Sequence, residues 1–399
     1  MKYHELLELY KKDKLSPSEK EQVENDIEKQ EAISDYLFQM DSPEMEELSN
    51  LADFEEPKED DSEEKFLRLI KKNIRNAFIK MGIAVGAVVL SITLLVIFVL
   101  PRTVDKFYYD PNQVVGTAED NVHITTNRMS LDLACYSELF MPQSYRNEVR
   151  ASSNGFGCYD ITIPQIAYSP KGTVKTVNGR LEKNNLILYD TDTLRHPVSN
   201  SFIPPLKADA SFCYDMAPLG EPKEAKKFLE QKPDDIYGAF ISLKEVTDYE
   251  SAINWLYDKN IHKSGIWCAV YREGELGEPI FENVGFKIAN GGMCIDWDRE
   301  KYPVLSLLDN SGENYDVFDE EKMKTHFISL LSYIRDHNEI CSLMGNYHSA
   351  NDGFYEHLIS YVNDEGLKIH GFYIEAEKED LLKLWEDEKV SYIYTVNIY

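Results

Sequence analysis

An uncharged run of twenty residues, Met81 to Leu100 (MGIAVGAVVLSITLLVIFVL), constrains this chain more than any other feature. At about 1.5 Å of rise per residue, a helix of that length spans roughly 30 Å, the thickness of a bilayer's hydrocarbon core. The run starts too late for a cleavable signal peptide, and no small-residue cleavage site follows it. A core helix of a soluble protein is the alternative, but such helices rarely run this far without a strongly polar side chain. The sequence therefore predicts one membrane-spanning helix.

The charges on either side of this run predict its orientation. Six Lys and Arg residues precede it, at positions 65, 68, 71, 72, 75 and 80. In the twenty residues that follow, Arg102 and Lys106 are opposed by four acidic residues. An excess of cations on the N-terminal side predicts that the N-terminus is cytoplasmic. We expect Pro101 to end the helix at the outer interface. We also expect three aromatic residues in the headgroup layer, Phe107, Tyr108 and Tyr109.

Composition argues against nucleic-acid binding on either side of the membrane. The net charge of −28 divides into −9 before the run and −19 after it. Both parts are acidic, so neither is expected to bind DNA or RNA directly, and only the juxtamembrane cations favour anionic lipid. All six cysteines follow the run. An even number in an extracytoplasmic region permits up to three disulfides, while their wide spacing fits buried single thiols equally well.

The N-terminal segment has the pattern of two short amphipathic helices. Ser16-Pro17-Ser18-Glu19 predicts the start of the second, because Ser16 can cap, Pro17 suits the first turn and Glu19 can close a capping box. Helices this short bury little apolar surface, so they form either a marginal bundle or a surface for a partner. Their apolar positions are the candidate partner-binding residues: Leu6, Leu7, Tyr10, Val23, Ile27, Ile33 and Leu37. The acidic stretch 41–64 is expected to be a solvated linker, or a complement to a basic partner surface.

This segment, LLELYKKDKLSPSEKEQVENDIEKQEAISDYL, resembles the N-terminal helices of bacterial anti-sigma domains. Many members of that class carry a zinc-ligand run, His-Leu-x2-Cys-x2-Cys, soon afterwards. The matching positions here are Asp26, Ile27, Gln30 and Ile33, and no Cys precedes the apolar run. Those side chains cannot form such a zinc site. The resemblance therefore implies a zinc-free member that binds a sigma factor.

The chain after the apolar run is expected to be β-rich first and mixed later. Short strands such as YDITIPQIAY and LILYD lie between turns in 113–223, and Asn178-Gly179 predicts a hairpin turn. The segment 221–235, which contains Pro222 and Pro233, is a boundary or an amphipathic connector. From Asp234 onward, strands and helices alternate, and the last 33 residues form a strand–helix–strand unit. We expect its crossover to return the final strand parallel in one mixed sheet.

A second resemblance covers this later part. The patterns DDIYGAFISLKEVTDYESAINWL and GLKIHGFYIEAEKEDLLKLWEDEKVSYI resemble the C-terminal domain of membrane-bound sigma factor regulators of Gram-positive bacteria. The apolar run and the β-rich stretch after it, including GCYDITIPQI, are similar to the N-terminal regulator domain of the same proteins. These resemblances imply an anti-sigma factor anchored by one span.

No motif in the chain predicts catalysis, a metal or a cofactor. None of the eight later histidines has the spacing of a zinc enzyme, and His348, Glu356 and His357 form the closest approach to a cluster. Asp296 and Asp298 beside Glu300 are expected to be a charged loop. Asn290-Gly291-Gly292 lacks the spacing of a phosphate loop and predicts a hairpin. The tryptophans and tyrosines are expected to pack in the core rather than line a ligand groove.

The sequence thus predicts an α-helical cytoplasmic segment (1–64), a juxtamembrane and transmembrane helix (65–101) and an α+β extracytoplasmic region. That region divides into a β-rich domain (102–230) and a C-terminal α/β domain (231–399). The expected function is sequestration of an extracytoplasmic-function sigma factor by the N-terminal helices, controlled from outside, with a membrane co-regulator or a protease as further partners. The alternative is an envelope sensor or an adhesion or scaffold protein with an unrelated cytoplasmic partner.

Overall fold

The computed structural model describes residues 9–10, 12, 14–40, 62–117, 125–146, 148–167, 174–189, 201–203, 205, 217–261, 266–273, 283–288, 297–307, 316–346 and 352–398. They form two compact units, Met1–Ala87 and Val88–Tyr399. Several predictions lie outside the described residues: those on Leu6, Leu7 and His348, on the Asn290-Gly291-Gly292 turn, and on the side chain of Leu37.

The first unit contains helix α1 (Pro17–Met40) and the greater part of helix α2 (Ser62–Leu94). The predicted start of α1 is confirmed, since Pro17 is its first residue. One helix in the described part of the chain is long and apolar enough to cross a membrane. It covers Ile70–Asp105, its most apolar 18-residue stretch has a mean hydropathy of 3.0, and every residue from 70 to 100 is exposed.

The prediction that Pro101 ends this helix is wrong. α2 continues through a π-helical turn (Leu95–Val99) into α3 (Leu100–Asp105), so the helix runs four residues past the proline. In the π turn the N–H of Leu100 donates to the carbonyl of Leu95, five residues back. This wider turn shifts the hydrogen-bond register, and Pro101 then stands in the first turn of α3, where its missing N–H is tolerated.

The second unit opens with a small β-sheet and a buried helix. Strands β1 (Val114–Thr117) and β2 (Thr125–Asn127) pair antiparallel, and helix α4 (Arg128–Phe140) follows at once. The side chain of Asn127 caps α4 by accepting from the N–H of Ser130 at 2.9 Å. Every residue from 129 to 140 is buried, so α4 has no solvent-facing side. The prediction of a β-rich stretch is wrong here, because a helix that is buried on all sides has no polar face to indicate it.

An antiparallel sheet of five strands follows α4 in sequence. They are β3 (Ser144–Arg146), β4 (Arg150–Gly155), β5 (Cys158–Ala167), β6 (Val174–Glu182) and β7 (Asn185–Leu188). The spatial order is β3-β5-β6-β7, and β4 pairs with β5 as well.

The predicted turn at Asn178-Gly179 is wrong, because both residues lie inside β6, paired with β5 and β7. The turn is instead at Lys183 and Asn184, where φ is +47° and +67° as two-residue hairpins favour. Gly179 allows β7 to approach β6 closely, because a Cβ at this position would lie 2.6 Å from the carbonyl oxygen of Ile187.

The later part of the unit is a five-stranded sheet with helices. Its strands are β8 (Ile236–Asp248), β9 (Trp267–Val270), β10 (Gly285–Lys287), β11 (Lys368–Glu377) and β12 (Val390–Asn397), in the order β10-β9-β11-β8-β12. Every neighbouring pair is antiparallel, so the expected mixed sheet is not found among the described strands. β11 and β12 do run in the same direction, but β8 lies between them. The neighbour of β12 is therefore β8, which comes earlier in the sequence, and not β11.

Six helices of the described residues belong to this part. They are α5 (Pro222–Gln231), α6 (Tyr249–Asp258), α7 (Glu320–Asp336), α8 (Glu339–Leu343), α9 (Asp352–Glu365) and α10 (Lys378–Trp385). The strand–helix–strand unit expected at the C-terminus is confirmed as β11, α10 and β12. The opposite sheet face carries a smaller aromatic cluster around Phe240, Trp267 and Tyr373, on which Phe202 packs. Among the described cysteines, Cys135, Cys158, Cys268 and Cys341 are all free thiols.

Candidate protein-binding surface

The start of α1 is fixed by contacts between Ser16 and Glu19. The N–H of Ser16 donates to Glu19 Oε2 at 3.1 Å, and its hydroxyl donates to the same oxygen at 2.6 Å. This is the half of the capping box in which the glutamate reaches back to the cap residue. Both bonds favour the ionised carboxylate, so the pKa of Glu19 is lowered. The helix therefore begins at a defined residue, which fixes the order of its faces.

Along α1, the predicted apolar stripe divides into a buried and an exposed part. Val23 is buried within the first unit, whereas Ile27 is 42% exposed and Ile33 is 57% exposed. Exposed isoleucines on one helix are unfavourable in water and suit a partner's groove. Tyr10 is half-buried and its hydroxyl donates to Glu24 Oε1 at 3.1 Å. Of the predicted binding residues, Ile27 and Ile33 are thus accessible, while Val23 and Tyr10 are engaged within the unit.

Within the second unit, the chain that leaves the apolar helix is attached to the β-rich part at two points. Asp105, the last residue of α3, accepts a hydrogen bond from the N–H of Gly157 at 2.6 Å. Four residues later, the N–H of Tyr109 donates to Asn184 Oδ1 at 2.7 Å. These contacts join the end of the helix to two hairpin turns of one sheet. The helix end is therefore part of the fold of this unit rather than a free linker.

We call residues 105–109, at the end of the apolar helix, the exit segment. A buried carboxylate joins this exit segment to the later helices. Asp132, on α4, accepts hydrogen bonds from the hydroxyls of Tyr109 and Tyr333, each at 2.7 Å. Arg128 Nε lies 3.4 Å from the same carboxylate. Burial raises the pKa of Asp132, and the two tyrosines and Arg128 oppose that shift. Asp132 thus connects Tyr109, 23 positions before it, with Tyr333, 201 positions after it.

Arg128 extends the same connection to α8. Its guanidinium donates to Glu339 Oε2 at 2.8 Å and lies over the ring of Tyr109, 4.6 Å from the centroid. A planar guanidinium can make both contacts at once, because it bonds in its plane and stacks through its face. A lysine at this position would lose the stacking geometry.

The other end of α4 makes a second buried connection. Glu138 Oε1 lies 2.9 Å from Nε2 of His326, whose Nδ1 lies 2.8 Å from the carbonyl oxygen of Val304. The indole N–H of Trp267 donates to the carbonyl of Glu138 at 2.6 Å. Burial alone would raise the pKa of Glu138, but the charge of His326 and its hydrogen bond lower it overall. The C-terminal end of α4 is therefore connected by polar contacts to β9 and α7.

These polar groups were not predicted as functional residues. Because α4 is buried on every side, its polar and apolar residues do not separate into two faces. The sequence pattern therefore does not mark Asp132 and Glu138 as buried residues. Their arrangement supports coupling rather than catalysis, since each carboxylate is satisfied by neighbours within the protein. Among the described residues, no group of three or more His, Cys, Asp or Glu side chains is placed to hold a metal ion.

Comparison with known proteins finds a family match in the later part of the chain. Residues 229–394 match the family model described as sigma factor regulator C-terminal, from within α5 to within β12. No curated protein and no solved structure is a significant match to the chain. The matched region contains Trp267, His326, Tyr333 and Glu339, the later partners of the α4 network. The match supports a sigma factor regulator family, whose role is regulatory.

If Asp132 connects the exit segment to the later helices, its removal should destabilise the second unit. We expect Asp132→Ala to lower the free energy of unfolding by about 3 kcal/mol, because two tyrosine hydroxyls and Arg128 lose a buried partner. Asp160→Ala removes a carboxylate from an exposed position and should change it by less than about 0.5 kcal/mol. Urea unfolding of the full chain in detergent, followed by tryptophan fluorescence, measures both. Equal midpoints for the two variants would show that the network carries no stability.

Proposed function

We propose that this protein is a single-pass membrane anti-sigma factor whose N-terminal helices bind an extracytoplasmic-function sigma factor in the cytoplasm. The observation that carries the proposal is the match of residues 229–394 to the sigma factor regulator C-terminal family. A regulator of this kind needs a surface for the sigma factor, an anchor and a region that responds to a signal. The described residues offer a candidate for each.

The candidate surface is the exposed part of the α1 stripe, Ile27 and Ile33. An amphipathic helix that inserts isoleucines into a groove is a common mode of protein recognition. Bound there, α1 would cover part of the sigma factor and mask its surfaces for core polymerase and promoter. No zinc would be needed for this interaction, because the ligand positions hold Asp26, Ile27, Gln30 and Ile33.

The candidate anchor is the helix that contains Ile70–Asp105. Its cationic N-terminal flank favours a cytoplasmic N-terminus, on the side where sigma factors act. With this orientation the second unit's folded part lies outside the cytoplasm. There it would sense or relay envelope stress.

The candidate relay is the set of contacts around α4 and the helix exit. Residues of the matched region, Tyr333 and Glu339, contact Asp132 and Arg128, and Tyr109 contacts both of these in turn. A change in the matched region thus has a physical route to the end of the helix. Release of the sigma factor would follow from such a change or from proteolysis. A membrane co-regulator or a protease is the partner that would complete this step.

A charge placed on the exposed stripe should release the sigma factor. We expect Ile27→Asp and Ile33→Asp each to weaken binding by about 30-fold, as loss of about 2 kcal/mol at an apolar anchor does. A reporter for the cognate sigma factor should then be active without stress. Asn25→Asp adds the same charge at an exposed position on another face of α1 and should leave the reporter off. An inactive reporter in Ile27→Asp cells with normal levels of membrane-bound protein would refute the role of this face.

The proposed orientation can be tested by thiol labelling of intact cells. A cysteine in place of Ser18 should add no labelling by a membrane-impermeant reagent above that of the wild-type chain until the membrane is opened. Tyr189→Cys, at an exposed position of the second unit, should add labelling without opening. The reason is the cationic flank, which resists translocation during insertion. Labelling at Ser18 in intact cells would invert the topology and refute the anti-sigma proposal.

A further inference from the structure

The turn between β4 and β5 packs directly on the end of the apolar helix. Besides the hydrogen bond from Gly157 to Asp105, a Cβ at Gly157 would lie 2.6 Å from Tyr108 Cδ2. A Cβ at Gly155 would lie 3.0 Å from Pro101 Cβ. The turn is therefore held beside residues 101–108. If the helix end lies at a membrane surface, this turn therefore lies at the same surface.

Phe156, at the tip of this turn, is in an unusual conformation for its type. Its φ is +58°, between two glycines that also have positive φ. Bulky side chains rarely adopt this left-handed region, and Gly or Asn would form the same turn with less strain. The side chain is nevertheless 40% exposed, so packing within the chain does not account for it fully. A strained, partly exposed aromatic residue indicates a contact outside the chain.

Phe107 is a second exposed aromatic residue near the end of the apolar helix. It lies in the turn after α3, next to Tyr108, and is 82% exposed. Three exposed cations belong to the same region, Arg102, Lys106 and Lys183, and the N–H of Lys183 donates to the Gly157 carbonyl at 2.9 Å. The local acids, in contrast, accept hydrogen bonds within the protein: Asp105 from Gly157, and Asp110 from Asn112 and Tyr159.

The position of this region along the helix identifies its partner. The uncharged run ends at Leu100, so the boundary between hydrocarbon and headgroups falls at Pro101 if the helix spans a bilayer. The turn that packs on Pro101 then lies at the same depth. Aromatic rings and basic side chains are the residue types that membrane interfaces favour. A water-facing or protein-facing turn would not require this combination at this depth.

We propose that the Gly155–Gly157 turn docks on the bilayer, with Phe156 inserted beside Phe107 at the level of the lipid headgroups. The inference rests on the membrane span of the proposed function. It gives the protein a second membrane contact that holds the β-rich part against the bilayer surface. The orientation of that part relative to the helix then depends on the lipid interface as well as on the Asp105–Gly157 hydrogen bond.

Tryptophan fluorescence of the full chain in nanodiscs tests this contact. Phe156→Trp is the test, Phe107→Trp reports that the helix end reaches the membrane, and Tyr189→Trp is the negative control. Tyr189 follows β7, which runs away from the turn that contacts Tyr109, and is therefore about 15 Å further from the helix end. The fluorescence of each variant is measured in lipid with and without bromine on the upper acyl chain. Subtraction of the wild-type fluorescence gives the emission of the added tryptophan. Bromine quenches only tryptophans that reach the acyl boundary.

We expect the added emission of Phe156→Trp to fall by at least half in brominated lipid, as that of Phe107→Trp does, while Tyr189→Trp stays unchanged. Quenching at Phe107 with none at Phe156 would overturn this inference alone. No quenching at Phe107 would refute the membrane span and, with it, both proposals. Because misfolding could move a probe, Phe156→Leu is the second variant. Phe156→Leu keeps an apolar side chain and should keep the wild-type urea midpoint in nanodiscs, whereas Phe156→Ser should unfold at lower urea in nanodiscs but not in detergent. Equal midpoints of Phe156→Ser and the wild-type chain in nanodiscs would overturn the inference.

Discussion

The carboxylate of Asp132 is the contact on which the organisation of the second unit depends. It is fully buried and is satisfied by two tyrosine hydroxyls from other parts of the chain and by Arg128, one turn away on the same helix. Removal of any one partner would leave a polar group without water or a replacement, which is costly in a low-dielectric interior. The exit segment, α4 and α7 each contribute a side chain to this buried group of contacts. The three elements therefore keep one arrangement, and displacement of one breaks contacts made by the others.

The contacts of Asp132 also involve the end of the apolar helix, because Tyr109 follows that helix and donates to Asp132. A π turn carries the helix past Pro101, and Asp105 and Tyr109 fasten its end to the β-rich part. A helix end attached in this way moves with the β-rich part. In the account proposed above, a signal received by residues 229–394 has a continuous set of contacts to follow toward the membrane. The exposed isoleucines of α1, at the far end of the chain, are the surface that such a signal would control.

Sequence reasoning succeeded where the pattern was local. The capping residues of α1, the uncharged run and the strand–helix–strand unit at the C-terminus each carry their information within a few turns, and their elements were found as predicted. It failed where distant residues decided the outcome. α4 is buried on all sides, so its periodicity is masked. Asn178-Gly179 has turn chemistry, but β7 approaches closely there and places the turn at Lys183 and Asn184. The position of β8 between β11 and β12 likewise depends on pairing across more than a hundred residues.

The central claim is that this chain holds a sigma factor through its N-terminal helices. Affinity capture of the full chain, tagged at its C-terminus and solubilised in mild detergent from its own cells, tests this most directly. The account predicts that one sigma factor of the extracytoplasmic-function class is retained in amounts comparable to the bait, and that a chelator does not release it. Recovery of the intact chain from unstressed cells without any sigma factor would contradict the account.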